Sequence, residues 1–383
     1  MILRPRTRRW LLGTSALPAA LFMAGCDRSQ KGEPAGTKAP AAICTPGNEP
    51  APPTPTRSDR TLESGKRVDP APPSKDNLLA PHALAISPDG TRVAGATAMD
   101  RRALSLADSF GTVIWDAASG EASARFEDEC AGRIAWHPGG EALAIGAGNR
   151  LTLTDLEGKP LWHLTGHGSR GDDAASAEFH DLRFAPDGDR LVSVHSDDTV
   201  RLWTLSPDAC EPGHDLNVGG LVPTSAAFSP DGTVLAVSGK KGAVQLWDVA
   251  AGTRRGTAEG FGAGLQHLVY TAGSTLVASD PRTYSARALR ADGTGLTLEL
   301  EGNRADSITA LGDDQVAIAV PTAGRTVVWV WDTAAGTSAR LPAAPGAINA
   351  LSGTPDGSLL VGVAPKTGLL IWDGTSWREA EQV

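Results

Sequence analysis

From Leu78 to Val383 apolar side chains come in short runs, four to six residues long, that alternate with polar ones. Gly, Pro and Asp interrupt these runs every eight to twelve residues. Leu235-Ala236-Val237-Ser238 followed by Ala243-Val244-Gln245-Leu246-Trp247 is one such pair. Successive side chains of a strand point to opposite faces, so this alternation predicts half-buried strands joined by tight turns. The 3.6-residue spacing of an amphipathic helix is hard to find in this stretch. An all-β region from residue 78 onward is expected.

The strands recur in units. Ser87-Pro88-Asp89-Gly90, Ala185-Pro186-Asp187-Gly188, Ser229-Pro230-Asp231-Gly232 and Thr354-Pro355-Asp356-Gly357 are near-copies of one turn, and His137-Pro138-Gly139-Gly140 is a looser copy. Proline presets one φ and glycine accepts a positive one, so such a segment joins adjacent strands tightly. A tryptophan marker follows at Trp115, Trp203, Trp247, Trp331 and Trp372, with Thr154 and Arg290 at the equivalent places of two degenerate units. The steps between markers are 39, 49, 44, 43, 41 and 41 residues, the long one holding an insertion from Gly168 to about Ala175. Seven units of four strands predict a seven-bladed β-propeller of four-stranded antiparallel blades. The blade tryptophans are expected at the ends of third strands, buried between blades. Gly120, Gly252 and Gly336 mark the turn into the outer strand. For closure, residues 376–381 can supply the last outer strand, or a segment such as 61–68 can return to pair with the last blade; the first is favoured.

These residues resemble the WD-repeat β-propeller family over about residues 80–383, most closely in the third unit, Leu191 to Trp203. The resemblance implies a hydrogen-bonded tetrad in that blade made by His167, Ser193, Asp197 and Trp203. In the fourth unit Val237 and Lys241 occupy the Ser and Asp positions, so the tetrad is not general, and other bacterial propellers of six to eight blades stay open. The resemblance also implies that the loops between second and third strands share one face with those leading to the next blade.

The N-terminus has a different character. A basic start, Met1 to Arg9, precedes an apolar run from Trp10 to Gly25 broken by Pro18. A spanning helix needs about 20 apolar residues, so residues 1–25 are read as an export signal rather than an anchor. Met23-Ala24-Gly25-Cys26 resembles a bacterial lipobox, which implies lipid modification of Cys26. Thr7-Arg8-Arg9-Trp10-Leu11-Leu12 is similar to a twin-arginine export signal, with a plain basic leader as the alternative. Residues 26–77 are rich in Pro, Ala, Gly, Ser and Thr and read as a disordered linker. The expected protein is exported and lipid-anchored, periplasmic or at the cell surface.

Formal charge is −9; without Arg4, Arg6, Arg8 and Arg9 the chain has 31 basic against 44 acidic residues, or −13. That balance disfavours nucleic acid as a partner and suits a self-repelling monomer. Cys44, Cys130 and Cys210 remain after Cys26, an odd number that leaves at least one thiol free or intermolecular; Cys130 and Cys210 are expected on opposite faces, which disfavours that pair, and no disulfide framework is assigned. His163 and His167 lie on one strand about 13 Å apart, too far for one ion, so no metal is expected. No nucleophile elbow, Cys-x-x-Cys pair or phosphate loop is found, and no cofactor is expected.

The expected role is a non-catalytic platform for another protein. Its partner rim is expected in three segments: 97–109 with Arg101 and Arg102, Glu127-Asp128-Glu129-Cys130, and 168–175 with Arg170, Asp172 and Asp173. The alternatives are an exported propeller enzyme of lactonase or quinoprotein type, and a structural subunit of an envelope assembly complex.

Overall fold

The computed structural model describes residues 43–46, 83–97, 111–126, 131–168, 178–205, 210–211, 214–241, 243–262, 264–323, 325–364 and 368–379. The N-terminal 1–42, with Cys26, lie outside the described residues. Seven antiparallel sheets follow one another along the chain: residues 83–126, 131–165, 179–216, 223–257, 267–299, 307–340 and 350–379. They are blades 1 to 7, each with strands a to d paired in chain order, and no helix occurs among the described residues. The inner strand of every blade packs on the next, and that of blade 1, Ala83–Ile86, meets that of blade 7, Ala350–Gly353. This is a closed seven-bladed β-propeller.

The repeated turns lie between strands a and b. In blade 1 the Gly90 N–H donates to Ser87 O at 2.9 Å with Gly90 at φ +70°. The Asp89 carboxylate accepts from Ser87 Oγ at 2.5 Å and from the Thr91 N–H at 3.0 Å, while Ser87 Oγ accepts the Arg92 N–H at 2.9 Å. Ser229 and Asp231 repeat this set in blade 4. The aspartate that follows four of the five blade tryptophans, all but Trp203, has the matching task between strands c and d. Asp116, Asp248, Asp332 and Asp373 each accept a backbone N–H two or three residues on, at 2.7–2.8 Å for Ser119, Ala251, Ala335 and Ser376. Those bonds hold the carboxyls of Asp116 and Asp248 below the usual carboxylate range. One face of the disc is therefore built of short, self-capped turns.

The core is seven apolar layers, one between each pair of blades. Trp115, Trp203, Trp247, Trp331 and Trp372 all lie in third strands, and each joins the layer shared with the preceding blade. Where the tryptophan is missing, other side chains fill the layer. Trp136 and Phe126 serve between blades 1 and 2, and Phe261 and Leu265 between blades 4 and 5. Arg290 spans to the next blade instead, donating to Thr333 O at 2.8 Å and Ala334 O at 2.7 Å.

The inner strands have no ladder partner on the channel side, so some of their N–H groups depend on side chains. In blades 3, 4 and 6 the residue four places ahead of the a–b turn supplies them. The Asp181 carboxylate accepts the Ala226 N–H at 3.1 Å, Ser225 Oγ the Leu268 N–H at 3.1 Å, and Ser307 Oγ the Leu351 N–H at 3.0 Å. Ser225 also donates to Asp181 at 2.7 Å, and Arg133 Nε donates to His180 O at 2.9 Å. Each bond runs from one blade to the next.

Closure follows the favoured expectation. Trp377–Glu379 is the outer strand of blade 7, pairing with Gly368–Trp372, and Arg378 donates to Ala117 O and Ala118 O of blade 1 at 3.0 Å. One feature departs from the sequence reading. Ile43–Pro46, in the segment read as linker, is a strand that pairs antiparallel with Pro160–Thr165 as a fifth strand of blade 2. Cys210 is disulfide-bonded, a pairing the sequence left open. The proposed returning segment 61–68 lies outside the described residues.

Ser225→Ala removes an acceptor and a donor at once inside this belt and leaves a buried N–H unpaired. We expect a loss of about 1–3 kcal/mol in urea unfolding with an unchanged m-value. A loss below a few tenths would show that the belt carries no stability.

Candidate partner-binding face

Chain direction puts the b–c and d–a connections on the face opposite the capped turns. Most b–c connections there are short, such as Gly148-Asn149 between Ala142–Ala147 and Arg150–Asp155. Two connections are long: 98–110 between Thr97 and Gly111, and 166–178 between Thr165 and Phe179. The third expected segment, 127–130, bridges Phe126 and Ala131 directly and is acidic rather than long. Arg101, Arg102, Glu127, Asp128, Glu129, Arg170, Asp172 and Asp173 all lie outside the described residues. Their supports do not.

The 166–178 connection rises from a buried polar cluster. His167 is only 2% exposed. The Trp203 Nε1–H donates to Ser193 Oγ at 2.9 Å, and Ser193 Oγ lies 2.7 Å from His167 Nε2. His167 Nδ1 lies 2.8 Å from Thr199 Oγ1 and 3.4 Å from the Asp197 carboxylate, and Thr199 Oγ1 donates to that carboxylate. A consistent proton order follows: Trp203 donates to Ser193, Ser193 to Nε2 of a neutral His167, and Nδ1–H toward Thr199 and Asp197. The expected tetrad residues are thus brought together, with Thr199 as an added member.

His195 joins them from the same blade. Its ring stacks on His167 with centroids 4.6 Å apart, Phe179 packs edge-on to both, and Nε2 lies 2.9 Å from Gly148 O of blade 2. Its Nδ1 lies 3.3 Å from Asp197. His195 lies within the third repeat unit, but no motif in the sequence assigns it a role. Thr199 carried a weak signal, as a hydroxyl two residues beyond Asp197.

The cluster fixes both ends of the loop above it. The Gly168 N–H donates to Asp197 Oδ2 at 2.7 Å. At the other end the Glu178 N–H donates to Ser196 Oγ at 3.0 Å, and the Ser196 N–H returns to Glu178 O at 2.9 Å. The intervening residues 169–177 therefore leave from, and return to, one rigid turn of blade 3.

Burial pushes the His167 imidazole down to about 4, against the opposing pull of the Asp197 hydrogen bond. Burial alone would raise Asp197, but hydrogen bonds from His167, His195 and Thr199 outweigh it and hold the carboxyl low. Ligand atoms of His167, His195 and Asp197 lie within 4.8 Å of one another, a separation a divalent metal can bridge. Both His167 nitrogens and His195 Nε2 already have protein partners, so a metal would have to displace that network. His163, the other histidine weighed for a metal, faces Thr152 Oγ1 at 3.5 Å.

The tetrad is not general, as expected. In blade 4 Val237 stands at the Ser193 place, and the buried Trp247 Nε1 has no hydrogen-bond partner among the described residues.

Fold and repeat define a propeller of repeated WD blades, and comparison with known proteins agrees. The family described as WD domain, G-beta repeat matches residues 158–204 and 209–248, blade 3 and most of blade 4 with their flanks. WD repeat and SOCS box-containing protein 1 of Homo sapiens is 32% identical over 151 residues, 36% of this chain and 32% of that protein. Its Danio rerio counterpart is 33% identical over the same length. Transcriptional corepressor LEUNIG_HOMOLOG of Arabidopsis thaliana is 32% identical over 111 residues, covering 28% of this chain and 13% of its own. The chain thus spans about a third of the length of the first relatives it matches. The described residues form a seven-bladed β-propeller that is similar to WD-repeat proteins over residues 158–204 and 209–248.

Because His167 is neutral in the fold and protonates more readily when unfolded, its contribution is complete above the ordinary value of 6.5 and is lost as pH falls toward about 4. We expect His167 to account for a drop of roughly 3 kcal/mol across that window, alongside His267, which burial also pushes down to about 4, and His167→Gln to make the slope shallower. An unchanged slope in the variant would remove His167 from the account. Ser193→Ala should cost about 1–3 kcal/mol by stranding the Trp203 N–H.

Proposed function

We propose that this protein is a non-catalytic scaffold that captures another protein on the b–c and d–a face of blades 1 to 3. The observation that carries the reading is the double anchoring of the 169–177 loop on the buried His167–Asp197 turn. A loop whose ends are already fixed loses less conformational entropy on binding, so more of its contact energy appears as affinity. Among the described residues, the opposite face carries short turns in which Asp116, Asp248, Asp332 and Asp373 are spent on their own backbone. WD-repeat relatives that include a transcriptional corepressor support a role in protein interaction.

The residues proposed to make contact are Arg101, Arg102, Glu127, Asp128, Glu129, Arg170, Asp172 and Asp173, a mixed and largely acidic set. Residues 1–25 are proposed to direct export, and Cys26 to carry the lipid that holds the protein at a bacterial membrane.

The test replaces 98–110 and 169–177 with two-residue turns. Partner capture, read by cross-linking from a probe at residue 128, which parent and variant both keep, should be lost while the urea midpoint stays within experimental error. Undiminished capture, or cross-links of equal yield from the capped-turn face, would overturn the reading. Separately, Cys26→Ser should abolish incorporation of labelled fatty acid and release the protein from membranes; retained label would refute the anchor.

A further inference from the structure

We propose that Cys44 is the disulfide partner of Cys210, and that the bond pins the segment ahead of the propeller to the outer edge of blades 2 and 3. The sequence has four cysteines: Cys26, Cys44, Cys130 and Cys210. Cys210 is disulfide-bonded. Three placements then converge on Cys44.

First, Ile43–Pro46 lies along the outer strand of blade 2, with Cys44 opposite Leu164. Second, Leu164 shares one apolar layer with Trp162, Leu205 and Cys210, so Cys210 reaches the edge that Ile43–Pro46 lines. Third, Ile43–Pro46 itself packs against Cys210–Glu211, the strand in which Cys210 pairs with Leu205. A disulfide needs Cα atoms within about 7 Å, a spacing that two strands in contact provide.

Cys130 lies outside the described residues, and the place of its neighbour in sequence argues against pairing with Cys210. It is followed at once by Ala131, the start of the inner strand of blade 2, whereas Cys210 belongs to an outermost strand. Three strand spacings, about 14 Å, separate inner from outer strands within one blade.

Bond formation converts Cys44–SH and Cys210–SH into one S–S bond. The two electrons and two protons pass to a disulfide oxidant, either a dithiol oxidoreductase or a small disulfide, which is released as two thiols. The closed chain runs from residue 44 to residue 210, through blades 1 and 2 and most of blade 3. Joining its ends restricts the unfolded chain far more than the folded one. Such a bond persists in oxidising compartments, which agrees with export. The bond rests on strand placement alone and is independent of the partner-binding reading.

The experiment uses the full chain, incubated folded with oxidised glutathione, alkylated, and digested with trypsin without reduction. Peptide 39–57 should appear linked to peptide 202–240, and the linked species should vanish on reduction. Recovery of 39–57 with Cys44 alkylated or carrying glutathione, or of 202–240 linked to another cysteine peptide, would overturn the proposal. As a second measurement, Cys44→Ser and Cys210→Ser should each lower Tm by several degrees, and the double variant by no more than either alone. Additive losses would show that the two cysteines act separately.

Discussion

Each blade is apolar on both of its faces, and only another blade can cover them. Leu143 and Ile145 face the layer shared with blade 1, while Ala142 and Ala144 on the same strand face that shared with blade 3. An open stack would leave one face of its first and last blades in water. Here that pair is Val93 and Ala117 against Val361, Val363, Leu369 and Ile371, all buried because blade 1 meets blade 7. At about 1.5–3 kcal/mol for each large apolar side chain buried, this single layer outweighs the few kcal/mol that any one turn contributes. The circular shape follows from that requirement. The side-chain belt of Arg133, Asp181, Ser225 and Ser307 then ties the inner strands of neighbouring blades together.

The parts of this fold that depend on local chemistry were legible in the sequence. A Ser-Pro-Asp-Gly turn closes through its own serine and aspartate, and a Trp-Asp pair wedges one layer while capping the next turn. Both can be read without knowing what lies across the ring. Features that depend on distant residues were not legible. His195 stacks on His167 and reaches Gly148 in another blade, contacts that no spacing announces. The belt residues are Arg, Asp and Ser, so they share no residue type; only alignment of the inner strands on the turn that follows reveals a common position. The strand Ile43–Pro46 is hidden by a composition of Pro, Ala and Gly that elsewhere means an unstructured linker. Of the expected site, the tetrad was found where the sequence placed it, and the partner rim belongs to residues the structure does not describe.

The two faces of the disc divide the work. Glycine with positive φ and aspartate bonded to nearby N–H groups give one face turns with little free side-chain chemistry. The other face carries the length variation, gathered around blades 1 to 3 rather than spread evenly. Beneath its longest described foundation sits a histidine held neutral by burial, a carboxylate held charged by its donors, and a tryptophan whose N–H starts the chain of hydrogen bonds. The cluster serves as a stable base, and binding chemistry is left to the loop it supports.

The central claim is that the seven interblade layers act as one closed unit. Amide hydrogen exchange on the intact chain tests it most directly. Inner and second strands of blades 1 and 7 should exchange with the same protection as those of blades 3 and 4, and all should lose it together in rising urea. Release of blade 7 or blade 1 at lower urea, with the rest still protected, would mean that the ring is held as an open stack and the account of its faces is wrong.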